Sequence, residues 1–260
     1  MGGVGTVPKL ERERQWASWA LGRWASFPVD QEPRPLVLAG PAAVSEEGFR
    51  SGLAKLAFLY GHLESTVPLP PGLLEVLGAG ATRQPRPGPR HNRGPLLITG
   101  ATKDHGVFTT DRGRRSLPAW RLTGPDLLGP LWVLDPAIAA TCWTPPEDGP
   151  PPPFQGASHR ADRATLGDDG RTLRLAVLGG PPGYIEYPTV EVIDSDHAVV
   201  LLPVEHDSGP PGLRAWGGSW REVAVTLNRP LGHRVLVELD ASPVMVQAPG
   251  MWGSPVVQDV

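Results

Sequence analysis

An alternation of apolar and polar residues between positions 172 and 246 constrains the fold of this chain more than any other feature of the sequence. In its first run, Leu173, Leu175 and Val177 fall on one face of an extended backbone, with polar or small residues on the other face. A period of two is typical of a strand that has one face in a core. Two later runs repeat it, with the inward residues Val223, Val225, Leu227, Val235, Val237 and Leu239.

Two more apolar runs lie between these three, at residues 189–193 and 197–204. The second is a nearly unbroken series of valine and leucine, which indicates burial on both faces. Residues 228–233 are predicted to join the last two strands as a hairpin. Since no helix separates the five strands, we expect antiparallel pairing and an immunoglobulin-like sandwich over residues 165–260.

A second β-rich unit with short helices is predicted for residues 30–145. Gly and Pro number 32 each among 260 residues, and this composition favours short strands joined by turns over long helices. Strands at 96–134 are expected to form a β meander that turns at Asp111-Arg112-Gly113. A proline-rich linker at 146–164 can join neither a helix nor a central strand, so it marks the predicted boundary. One continuous sheet shared by both halves is the alternative architecture.

Residues 1–29 are assigned to an N-terminal helix that ends at Pro28. Trp19 falls on the face opposite the apolar stripe of this helix, which is unusual for so large an apolar side chain. Either Trp19 packs within the protein or it contacts a partner. The stripe itself consists of Leu10, Ala17, Ala20, Leu21 and Trp24.

A second helix is predicted to begin at Ser45, which is followed by two glutamates and is a suitable N-cap residue. Gly61 is expected to end it. The apolar residues at helical spacing, which should form its buried face, are Phe49, Leu53, Leu56 and Tyr60.

Three stretches of the sequence resemble a recurring type of uncharacterised actinobacterial protein: "TTDRGRRSLPAWRLTG", "GPLWVLDP" and "REVAVTLNRPLGHRVLVELD". The likeness covers most of residues 35–246 and rests on turn-and-strand patterns. It implies a β-rich fold and assigns no catalytic residue. Many relatives of this type are exported or lipid-anchored, whereas this chain has neither a signal-like apolar segment nor a lipobox cysteine.

The overall composition argues against several classes of partner. A net charge of -3 favours neither nucleic acid nor an anionic membrane. The basic residues at 82–95 have no interleaved aromatics on which bases could stack, so we expect a solvated loop. Cys142 is the single cysteine, which excludes an internal disulfide or thiolate metal cluster. Without an apolar stretch of 18 residues or a signal segment, we expect a soluble cytoplasmic protein with no transmembrane segment.

No cofactor motif in the sequence is convincing. Gly78-Ala79-Gly80 lacks the third glycine of a dinucleotide loop, and residues 179–183 include two prolines that have no N–H for a phosphate. His197 and Glu205 would lie about 26 Å apart on one strand, so they cannot share a metal ion. Asp194-Ser195-Asp196 fits a tight turn better than a calcium site. We therefore expect neither a metal nor an organic cofactor.

The best candidate site is one end of the predicted sandwich. Consecutive antiparallel strands alternate in direction, so the loops at 179–188 and 205–220 should be neighbours. Aromatic, acidic and imidazole groups together are typical of a recognition surface on a rigid β scaffold. The residues in question are Tyr184, Glu186, Tyr187, Glu205, His206, Asp207, Trp216 and Trp220.

Three hypotheses follow for this end of the domain. In the favoured one it is a non-catalytic binding module for an unknown protein or small-molecule ligand. Trp216 and Trp220 are then its anchors, with Tyr184, Tyr187 and Glu205 also in the binding surface. In the second it is a cofactor-independent enzyme, in which His206 is a general base oriented by Glu186 or Asp207. In the third, the aromatic residues only cover the end of the core.

Overall fold

A computed structural model describes residues 9–79, 94–146, 161–179, 185–207 and 219–247 of the chain. The described residues are mainly β, as the sequence predicted, and contain four sheets, in which most strand pairs are antiparallel, and four short helices. The helices are α1 (Lys9–Arg23), α2 (Gly52–Leu59), α3 (Leu73–Ala79) and α4 (Pro136–Ala139).

Thirteen strands lie within the described ranges. The first six are β1 (Ala42–Val44), β2 (Leu63–Ser65), β3 (Leu96–Ile98), β4 (Gly100–Thr110), β5 (Gly113–Thr123) and β6 (Leu131–Leu134). The remaining seven are β7 (Ala161–Leu166), β8 (Thr172–Gly179), β9 (Ile185–Asp194), β10 (Ala198–Asp207), β11 (Ser219–Thr226), β12 (Val235–Val237) and β13 (Met245–Gln247).

The chain divides into two compact units, each built from separate parts of the sequence. The first comprises Met1–Val37, Asp111–Gly113 and Trp143–Val260, and the second comprises Leu38–Thr110 and Arg114–Cys142. The N-terminal helix thus belongs to the same unit as the strands from β7 onward. β7 begins at Ala161, within the stretch that the sequence assigned to a linker.

Two sheets pack face to face in the first unit, with strand orders β11-β8-β7-β13 and β12-β10-β9. Leu173 and Val177 of β8 and Val199 of β10 are fully buried in the core that the two sheets share. Val200 of β10 is buried in a second core on the other face of its sheet. The predicted alternation of β8 and the predicted burial of both faces of β10 are confirmed.

The predicted hairpin at residues 228–233 is wrong. β11 pairs with β8, whereas β12 pairs with β10 in parallel, so this segment crosses from one sheet to the other. β13 also pairs in parallel, with β7. Val235, Leu236 and Val237 are all buried, because β12 has a core on each face and does not follow the predicted alternation.

Helix α1 covers the outer face of the three-stranded sheet. Ala17, Ala20 and Trp24 are fully buried there, which confirms the centre of the predicted stripe. The helix ends at Arg23, and the chain then turns so that both Trp24 and Phe27 enter the core. The Trp24 indole N–H donates to the carbonyl oxygen of Ala241 at 2.9 Å.

Trp19 is half-buried and packs against this same core. This contact favours the hypothesis that Trp19 packs within the protein. A partner contact through the exposed part of its ring stays a prediction.

The second unit contains the predicted meander, since β4, β5 and β6 follow one another in a sheet of order β1-β6-β5-β4. Residues 96–98 lie outside this sheet and instead form β3, which pairs with β2 in parallel. β1 was not predicted. Its residues are small and half-buried, and its pairing with β6 is what makes it a strand.

The second predicted helix begins later than expected. Ser51, rather than Ser45, is the N-cap of α2, and its side chain accepts a hydrogen bond from the Ala54 N–H. The shift of six residues changes the buried face, so Phe58 is buried and Leu53 is 57% exposed. Two serines were available as caps, and the packing of Phe58 against the sheet core selects the second.

Asp111 is the buried residue of the turn Asp111–Gly113, which belongs to the first unit. The Asp111 carboxylate is 2% exposed and forms an ion pair with the Arg34 guanidinium, which is 14% exposed. The Arg112 guanidinium donates to the carbonyl oxygens of Gly232 and Arg234, both at 2.7 Å. Burial lowers the pKa of Arg112 to about 10, although the charge of Asp111 opposes this shift. The sequence predicted this turn but gave no indication of its charged contacts.

We expect acid to destabilise the first unit through Asp169, which lies in the turn between β7 and β8. Its carboxylate accepts hydrogen bonds from the Thr172 hydroxyl at 2.7 Å, the Thr172 N–H at 2.8 Å and the Arg171 N–H at 2.9 Å. These bonds lower the pKa of Asp169 to about 2. The pKa of this carboxyl is lower in the folded protein than in the unfolded chain, where it is about 4, so the ionised carboxylate stabilises the fold at pH values above about 4. This stabilisation is lost as the pH falls from about 4 to 2.

Chemical denaturation between pH 5 and pH 2 would measure this loss. The Asp169→Asn variant should be less stable at pH 5 and lose less stability on acidification than the wild type. Asp168→Asn removes a carboxylate from the adjacent exposed residue and is the control. Equal pH dependence of the Asp169→Asn variant and the wild type would contradict the assignment.

Candidate functional site

Four strand ends meet at one end of the sandwich in the first unit. Ile185 at the start of β9 lies opposite Asp207 at the end of β10, and Ser219 at the start of β11 lies opposite Gly179 at the end of β8. Five residues connect Gly179 to Ile185, and a chain of that length spans at most about 20 Å, which is shorter than β9. Both pairs of strand ends therefore lie at the same end, where the candidate site was predicted.

The loops at this end are shorter than predicted. Glu186 and Tyr187 belong to β9, and Glu205, His206 and Asp207 belong to β10. Residues of the predicted loops thus occupy fixed places in a sheet, because their backbones pair with the adjacent strand.

His206 and Glu186 are direct cross-strand partners in this ladder. The register shifts between Val204 and His206, which is an irregularity of the β-bulge type. Bulges re-aim side chains and are frequent next to functional sites. The backbone thus brings together two of the three residues assigned to the enzymatic hypothesis.

Trp220 is the candidate anchor whose side chain the structure describes. It lies on β11, the outermost strand of its sheet, and is 49% exposed. Two other aromatic candidates, Tyr184 and Trp216, lie outside the described residues.

Arginine side chains bind both carboxylates of the turn at 194–196, whose spacing is also compatible with a calcium loop. Asp194 accepts from the Arg234 guanidinium at 2.7 Å, and Asp196 lies 2.8 Å from the Arg229 guanidinium. The Ser195 hydroxyl stabilises the turn by accepting from the Ala198 N–H at 3.1 Å. The turn that was predicted is present, and its serine rather than its aspartates makes the local bonds.

Within the described ranges, no group of three or more His, Cys, Asp and Glu residues is placed to hold a metal ion. No helix in that part of the chain is long and apolar enough to cross a membrane.

The second unit contains a cleft of about 550 Å³ that no sequence pattern predicted. The half-buried Trp132 lies in it, and the exposed side chains of His105 and Arg114 line it. Gly106 allows β4 to pass close to Trp132, since a Cβ at this glycine would lie 3.0 Å from the Trp132 Cβ. No motif could have indicated the cleft, because distant parts of the sequence assemble it.

Comparison of the chain with protein-family models, with curated proteins and with solved structures found no match. The likeness to actinobacterial proteins remains a resemblance of short motifs.

Proposed function

We propose that the first unit is a non-catalytic binding module that uses the end of its sandwich formed by residues 179–188 and 205–220. The exposure of Trp220 is the observation that carries this proposal. A tryptophan side chain with half of its surface in solvent costs the folded protein hydrophobic free energy, which a partner would recover by covering it. Tryptophan is also among the residues most often found to dominate binding energy at interfaces.

Rigid support for Trp220 strengthens the proposal. β11 pairs with β8 over eight consecutive residues, and Trp220 lies opposite Leu178 in this ladder. Leu175 and Val177 of β8 are buried in the core that the two sheets share, so the strand that supports β11 is itself held in place. An anchor on so firmly held a backbone loses little conformational entropy on binding, which favours affinity.

The enzymatic alternative is supported by the cross-strand pairing of His206 with Glu186. Directly opposed residues in an antiparallel ladder have Cβ atoms about 4.5–5.5 Å apart, close enough for a carboxylate to orient an imidazole. In this alternative His206 is a general base that acts without a cofactor.

Selection of peptides from a random display library on the purified protein would test the binding proposal. Against the selected peptides, we expect Trp220→Ala to weaken binding at least tenfold and to change the melting temperature by less than about 3 °C. Leu128→Ala is the control, because Leu128 is 51% exposed in the second unit. Trp216→Ala should behave as Trp220→Ala does.

Three results would argue against the module. If the Trp220→Ala variant bound the selected peptides with unchanged affinity, Trp220 would not be an anchor. If the variant lost much of its stability, Trp220 would be a residue that covers the core. The protein can also be assayed with a panel of chromogenic esters, phosphates and glycosides. Turnover that is abolished by the His206→Ala substitution alone would favour the enzymatic alternative.

Three further expectations belong to this proposal. The module would work in the cytoplasm, which cell fractionation can test. It would bind no nucleic acid, since the net charge of -3 offers no electrostatic footprint. Trp19 of α1 would provide a second, smaller contact with a protein partner.

A further inference from the structure

An apolar pocket of about 400 Å³ lies in the second unit, between α2 and the segment that precedes it. Phe49 and Phe58 form its aromatic wall, with ring centroids 5.4 Å apart and ring planes inclined by 35°. Val44 and Leu59 add aliphatic surface. Its size and apolar lining are typical of sites for small organic molecules.

Two glycines, Gly48 and Gly52, are among the residues that line this pocket. Gly48 has a φ of +71°, a conformation that other residues rarely adopt, so a side chain is disfavoured at this position. Gly52 is the first residue of α2, and a Cβ built on it would meet nothing within 4 Å. Neither glycine contributes a side chain to the pocket lining, and a Cβ added at Gly52 would meet open space.

Lys55 is the one charged residue among those that line the pocket in the described chain. The Ser51 hydroxyl at the rim already accepts the helix-capping bond from Ala54. The hydroxyl keeps its own O–H as a donor, so the polar side-chain groups that line the pocket are one cation and one hydrogen-bond donor, both of which suit an anion. A complementary ligand has an apolar body and one negative charge.

We propose that this pocket binds a small apolar carboxylate, such as a medium-chain fatty acid, with its chain against Phe49 and Phe58 and its carboxylate at Lys55. Val44, Phe58 and Leu59 also line the 550 Å³ cleft, so the two depressions share apolar side chains. Affinity should accordingly increase with chain length, because each added methylene buries more apolar surface.

Titration calorimetry of the full-length protein with octanoate tests the proposal. We expect octanoate to bind at least tenfold more tightly than butyrate. Gly52→Leu fills the pocket and should reduce octanoate affinity tenfold or more. Leucine is a better helix former than glycine, so this variant should melt at the same temperature as the wild type or higher.

Lys55→Gln should weaken octanoate binding about fivefold and leave the affinity for neutral octanol unchanged, because it removes the charge and keeps most of the aliphatic chain. Leu53→Ala is the control on the same helix, since Leu53 is 57% exposed and does not line the pocket. Trp220→Ala, in the other unit, should also bind octanoate normally. Wild-type protein that does not bind octanoate would overturn the proposal, as would equal affinities for wild type, Gly52→Leu and Lys55→Gln.

Discussion

Replacing Asp111 by asparagine should lower the free energy of unfolding of the first unit by about 3–5 kcal/mol. The substitution keeps the size of the side chain, so it creates no cavity, but it leaves the Arg34 guanidinium without its buried anion. Arg112 would lose the same negative charge, which at present counteracts the effect of burial on its pKa. A buried cation without a partner is costly because it has given up its hydration without compensation.

Urea denaturation of the wild type and the variant at pH 7 gives this difference directly. Glu222→Gln is the matched control, since it also changes a carboxylate to an amide. Glu222 pairs with Arg174 at 3.3 Å, but the two side chains are 52% and 63% exposed. We expect a loss below about 1 kcal/mol for this surface pair. Similar losses for the two variants would mean that burial of Asp111 has no energetic consequence.

Trp24→Ala should destabilise the first unit by about 3–5 kcal/mol, because it opens a large cavity in a close-packed core. Trp24 is fully buried, and the centroid of its ring lies 4.6 Å from the ring centroid of Trp143 and 5.8 Å from that of Phe27. Trp24 also lies in one buried core with Val200 and Val235 of the three-stranded sheet, so it anchors the end of α1 on that sheet.

Trp24→Phe separates packing from hydrogen bonding. Phenylalanine keeps much of the aromatic volume but cannot donate to the Ala241 carbonyl oxygen, so we expect a loss of only about 1–2 kcal/mol. Thermal melts followed by near-ultraviolet circular dichroism would rank the variants. If Trp24→Ala melted within about 3 °C of the wild type, α1 would not be an integral part of this unit.

The features that the sequence predicted correctly are those that depend on local pattern. The alternation of Leu173, Leu175 and Val177 defines the buried face of β8 wherever that strand is placed, because successive side chains point to opposite faces. The nearly unbroken apolar run at 197–204 likewise predicted a strand covered on both faces. Chain direction alone also predicted that the ends of β8, β9, β10 and β11 would share one end of the sandwich.

Predictions failed where two local solutions were equally available. Ser45 and Ser51 are both acceptable N-caps, and only the packing of Phe58 against the sheet distinguishes them. The residues at 228–233 contain good turn formers, which suit a hairpin as well as a crossing between sheets. The pairing of β12 with β10 decides between these, and strand pairing depends on residues distant in sequence.

The same distinction between local sequence pattern and tertiary contacts applies to the candidate site. The sequence alone determined the chemical inventory of residues 184–220, because residue types and strand order can be read directly from it. Only the tertiary structure decided that His206 lies opposite Glu186, that Trp220 is half exposed and that the pocket at Gly52 is open. The physical reason is that register, exposure and cavity shape arise from contacts between distant segments, whereas periodicity and turn chemistry arise from neighbours in the chain.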